Sequence, residues 1–167
     1  MLDSVQQYVR GLIDGLVIPV TGIPPLTAWI TPPVLEEADG PRAYVWGGRV
    51  RGGRQTAPRG PGMKRFPWSV DVYLTYLDTP DDALASEPFP KVIDTVLRTF
   101  MATTMPLWID ANGVPVGPNA GSSTDTQIQA IGESFDLEYP PERLPATMRM
   151  VWYSARIALD VLEVVQA

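Results

Sequence analysis

The chain has 167 residues, 45% apolar and 19% charged, a net charge of −6, and neither cysteine nor histidine. This length and balance fit one domain with a buried core and exclude a disordered chain; no apolar run approaches the ~20 residues of a membrane-spanning helix. The missing residue types exclude disulfides, thiolate metal sites and histidine acid–base chemistry, so an enzyme here would depend on carboxylates, tyrosines and hydroxyls.

With Asp3 early and no basic stretch ahead of an apolar one, the start does not read as a signal peptide. Residues 3–16 predict an amphipathic helix, because Val5, Tyr8, Val9, Leu12, Ile13 and Leu16 fall on one stripe. Asp3 and Gln6 have capping-box spacing, Gly11 and Gly15 weaken the helix, and Pro19 ends it. Residues 23–40 are Pro-rich, with a short extended piece near 27–31 and the acidic cluster Glu36, Glu37 and Asp39. Residues 42–50 predict a strand, Tyr44 and Trp46 alternating with Ala43 and Val45 before Gly47 and Gly48 loosen it.

The strongest strand pattern is 68–77. Trp68, Val70, Val72, Leu74 and Tyr76 share one face; Ser69, Asp71, Tyr73 and Thr75 share the other. A turn follows at Thr79-Pro80-Asp81-Asp82, then a helix over 89–104 with the stripe Val92, Ile93, Val96, Leu97 and Phe100. Asp94 precedes Arg98 by four residues, the favourable order for a helical ion pair, and Pro106 is the expected stop. Residues 110–126 read as a mobile Gly/Asn/Ser loop, and 126–138 as a strand with a bulge at Gly132. Residues 147–165 read as a strand, although Ile157, Val161, Val164 and Val165 also fit a helical stripe. The 18 prolines, about twice the usual ~5%, cluster between these elements. The expectation is a single α+β domain over 1–167: a mainly antiparallel sheet of about four strands, two helices packed on one face, and a long protruding hairpin arm.

That arm, 49–67, belongs to a stretch of unusual charge. Residues 40–70 hold Arg42, Arg49, Arg51, Arg54, Arg59, Lys64 and Arg65 and no acidic residue. The other six basic residues share the rest of the chain with all 19 acidic ones, so a +7 segment is joined to a −13 body. Arg49, Arg51, Arg54, Arg59, Lys64 and Arg65 are therefore candidate protein-contact residues. Their candidate counterparts are Glu36, Glu37, Asp39, Asp78, Asp81 and Asp82. Arg51-Gly52-Gly53-Arg54 has an RGG-like spacing, but no aromatics interleave for base stacking and the sequence pI is about 4.6, unlike a dedicated nucleic-acid binder. Neither the pairs Glu36/Glu37 and Asp81/Asp82 nor Gly60-Pro61-Gly62-Met63-Lys64 has the spacing of a calcium or phosphate loop. No catalytic, cofactor or metal residue is assigned. The five tryptophans read mainly as core, with one or two as interface anchors.

An amphipathic helix, a Pro-rich acidic link, the strand "AYVWGGRV", a long loop, "WSVDVYLTYL", a second helix and a closing strand pair follow one another over 3–165. This order resembles the tail terminator (tail completion) proteins of long, non-contractile-tailed bacteriophages of the lambda type. The likeness is architectural, without a diagnostic short motif, and the arm and the 110–126 loop are longer than the simplest members imply. The resemblance implies a non-enzymatic virion protein of the neck, assembled in the bacterial cytoplasm. It would form a hexameric ring that caps the tail tube, ends tube polymerisation and meets the head–tail connector. Tail tube protein, connector and further copies of the chain would be its partners, with no membrane, and with DNA only passing through the channel. The alternatives are another neck or tail component, such as a connector or tube-like protein, and, from a different class, a small enzyme with a site around Asp71 and Tyr73.

Overall fold

The computed structural model describes residues 2–34, 40–50, 55–56, 63–78, 88–103, 107–116, 126–138, 144–147 and 150–166. In chain order these form α1 (Leu2–Ile13), β1 (Thr27–Trp29), β2 (Arg42–Val45), β3 (Arg49–Val50), β4 (Gln55–Thr56), β5 (Met63–Asp78), α2 (Pro88–Ala102), β6 (Leu107–Ile109), β7 (Pro115–Val116), β8 (Thr126–Glu138), β9 (Leu144–Thr147) and β10 (Met150–Gln166).

The α1 stripe is buried as its periodicity dictates, with Val5, Val9 and Ile13 at 0% exposure. The helix stops at Ile13, short of the expected 16. Gly15 takes a left-handed φ of 80°, which glycine adopts without a Cβ penalty and which turns the chain out of the helix. The expected capping box is also corrected. Asp3 lies inside the first turn, and the Gln6 amide donates across the fold to the Gly47 carbonyl at 2.9 Å. In α2, which spans 88–102 rather than 89–104, Phe89, Val92, Ile93, Val96 and Phe100 are buried. The exposed Asp94–Arg98 pair closes at 2.8 Å.

The described strands form one mixed sheet of ten strands, more than the four expected, ordered β1-β2-β5-β10-β8-β6-β7, with β3 and β4 on β5 and β9 on β10. Only β1/β2 pair in parallel; every other described pairing is antiparallel. The sequence underestimated the count because β3, β4, β6 and β7 have two or three residues each, too few for an alternation to register. The C-terminal segment is strand throughout 150–166, which decides against a helix. It pairs with β5 from Val151↔Asp78 to Gln166↔Met63.

The predicted strand 68–77 begins five residues earlier, at Met63. The expected arm ended at Pro67, which instead lies inside this strand. In the structure its missing donor does no harm, because β3 pairs with 68–69 and β4 with 64–65, leaving 66–67 without a registered partner on that side among the described residues. Strand 42–50 is likewise divided, the ladder slipping at Gly47-Gly48 between β2 and β3. On β8 the register shifts between Phe135 and Ile131, placing a bulge around Gly132 as expected.

Both helices lie on one face and share a single apolar cluster with it. Sheet residues in this cluster include Ala43, Val45, Val70, Val72, Leu74, Ile128, Ile131, Ala155, Ile157 and Leu159. The expected loop 110–126 is corrected over its first part. Residues 110–114 make a tight turn between β6 and β7, held by the Asp110 carboxylate accepting from the Asn112 and Val114 amides at 2.8 and 2.9 Å. This turn presses on α1: a Cβ on Gly113 would lie 2.5 Å from both the Ser4 carbonyl and the Tyr8 nitrogen.

Candidate protein-contact surface

Of the predicted contact residues, Arg49 lies in β3, and Lys64 and Arg65 lie at the start of β5. Arg51, Arg54 and Arg59, and the acidic Glu36, Glu37, Asp39, Asp81 and Asp82, fall outside the described residues. Asp78 ends β5, opposite Val151. The basic stretch is therefore anchored at its described positions as a continuation of the sheet. Arg49 pairs with Ser69, Gln55 with Arg65 and Thr56 with Lys64. The arm 49–67 is thus not separate from the sheet throughout: 63–67 are rungs of the β5–β10 ladder.

Alternation puts a second set of side chains on the sheet face that neither described helix covers. Strand register lines up Trp29, Tyr44, Tyr73, Arg156 and Glu138 across β1, β2, β5, β10 and β8. Trp29 stacks on Tyr44 with centroids 5.7 Å apart, and the Arg42 guanidinium sits 5.4 Å over the Trp29 ring. The Tyr44 hydroxyl donates to the Val34 carbonyl at 2.8 Å, fixing the Pro-rich link beside it. A cleft of about 330 Å³ opens there among Pro24, Pro25, Trp29, Pro41 and Arg42. Trp29 and Trp46 keep 37% and 44% of their surface exposed.

Arg156 organises the centre of this face. Its guanidinium donates to both Asp71 oxygens at 3.0 and 3.1 Å and to Glu138 at 3.1 Å, joining β5, β10 and β8. Hydrogen bonding to Asp71 pushes its pKa above an already high ordinary value, so it stays charged. Asp71 is only 11% exposed at its side chain and engages Arg156 through both oxygens, an arrangement that ties strands together.

The β1 margin of the sheet is closed by side chains. The Asp14 carboxylate accepts from the Ala28 amide at 3.0 Å and from Arg10 at 2.8 Å, and Arg10 Nε donates to the Ala28 carbonyl at 3.2 Å. Both backbone groups of Ala28 are thus occupied where a further strand would otherwise add.

Sequence reasoning named the tryptophans as possible anchors but missed Arg156 and Glu138. Their only signal is a charged residue at alternating positions in apolar strands. Among the described residues no group of three or more acidic side chains could hold a metal. No described helix is long and apolar enough to cross a membrane. No protein-family model matches the chain, and no curated protein is significantly similar to it.

Proposed function

We propose that this chain is a structural virion protein that forms a ring capping a phage tail tube, ends tube polymerisation and joins the tail to the head connector. The observation that carries this reading is where the segregated charge is attached. The helices bury Val70–Tyr76 of β5 and Tyr153–Val161 of β10, and the same two strands run on to Met63 and Gln166. Short pieces of the basic stretch pair onto that extension. Arg49, Lys64 and Arg65, the described part of the basic stretch at that end of the sheet, belong to a +7 segment on a −13 body; such segregation suits a head-to-tail contact, and such contacts close into rings when the rotation allows. Each exposed ion pair contributes only ~0–1 kcal/mol, so the contact gains strength by repetition around a ring.

Negative-stain images of the purified protein test this directly, with six-fold rings around a central hole as the expected result. A compact monomer at all concentrations would sink it. Duplex DNA is expected to bind weakly in free solution, since the acidic body repels it; tight, salt-sensitive binding would move the reading toward nucleic acid.

A further inference from the structure

We propose that the helix-free face of the sheet, along Trp46, Trp29, Tyr73 and Glu138, receives the basic stretch of a second copy of this chain. The inference rests on the ring-forming reading and gives it a specific pair of surfaces. Two observations select an arginine-rich occupant. The face combines tryptophans exposed at 37% and 44% with a Glu138 carboxylate exposed at 67%. A guanidinium stacks on aromatic rings and grips carboxylates in bidentate fashion, so one residue type satisfies both features. The fold already contains one such stack, with Arg42 over Trp29. Asp136, exposed two residues before Glu138 and opposite Ala158 on the same face, adds a second negative charge.

Register makes the occupant a second copy. Along β5 the hairpin runs from Arg42↔Thr75 through Arg49↔Ser69 to Gln55↔Arg65. The chain's own β4 therefore lies eight residues from Tyr73, about 26 Å at ~3.3 Å per residue, on the end directed away from the aromatic row. Arg42 apart, the described basic positions Arg49, Lys64 and Arg65 are set along β5 away from Tyr73, with Lys64 and Arg65 nine and eight residues from it, and are positioned to meet that row on a neighbour. Donor and acceptor surfaces then differ, as a heterologous ring contact requires.

Charge exchange in the full chain, read by sedimentation velocity, tests the pairing. One variant reverses the face (Asp136→Lys with Glu138→Lys). Another reverses the stretch (Arg49→Glu, Lys64→Glu and Arg65→Glu). Each alone is expected to associate at least about tenfold more weakly than wild type, about 1.4 kcal/mol, with its circular dichroism preserved. Mixed in equal amounts they should regain assembly, because every surface then meets either its original or its exchanged complement. Trp46→Ser, which changes no charge, should also weaken association. If wild type associates and the face and Trp46 variants match it, or the folded mixture stays dissociated, this pairing is wrong and ring formation stands. If wild type does not associate at any concentration, both readings fall.

Discussion

The two faces of the sheet alternate residue by residue along the same strands, yet they differ in chemistry. Under the helices, Val70, Val72 and Leu74 meet Ala155, Ile157 and Leu159, all apolar and nearly all fully buried. On the opposite face Asp71, Tyr73 and Thr75 meet Ala158, Arg156 and Ser154. The first face gains its free energy from removing apolar area from water, which is non-directional and tolerant of exchange among similar shapes. The second depends on directed contacts whose worth changes with what covers them. One strand thus fills the apolar core with its even residues and builds a polar layer with Ser69, Asp71 and Thr75, themselves buried, among which Tyr73 stays partly exposed.

Four substitutions sharpen or break that contrast. Val72→Asp is expected to have the largest effect, since it places an unpaired carboxylate in the apolar cluster at a position with 0% exposure. Soluble, cooperatively melting protein from that variant would show the faces to be misassigned. Gly113→Ala should come next, combining a φ of 75° with a Cβ against the α1 backbone. Thermal unfolding is expected to register upward of ~2 kcal/mol lost. Asp71→Ala tests the helix-free face. It removes both Arg156 contacts at 3.0 and 3.1 Å but leaves Glu138, so about 1–3 kcal/mol should be lost. A loss as large as that of Val72→Asp would mean that this face carries the fold as much as the other. Arg98→Ala breaks a pair exposed at 77% and 52% and should shift urea midpoints by no more than ~0.5 kcal/mol.

Where local chemistry decided the outcome, the sequence was readable. The period-two alternation of 68–77 and the helical stripe at Val92, Val96 and Phe100 identified two elements whose apolar faces enter the core. Gly132 correctly marked a bulge. Residues whose meaning depends on a distant partner were misread. Pro67, the end of the expected arm, lies within β5, where β3 and β4 pair on either side of it. Asp110 to Gly113 looked like a mobile loop because Asp, Asn and Gly favour both disorder and tight Asx turns. The charge segregation behind the contact surface was visible in composition alone. Its geometry was not, because Arg156 meets Asp71, 85 positions away, and Glu138, 18 positions away, only through the pairing of β10 with β5 and β8.

Strand β10 is fourth of seven in the sheet order, its middle, and last of the described strands along the chain. A ribosome therefore releases the two halves of this sheet before the piece that joins them. Until β10 emerges, β5 and β8 each present an unpaired margin sixteen and thirteen residues long. Late closure of a non-local ladder is the slow step in chains of this topology. For this protein the interval between synthesis and closure is when wrong partners are most dangerous and a chaperone most useful.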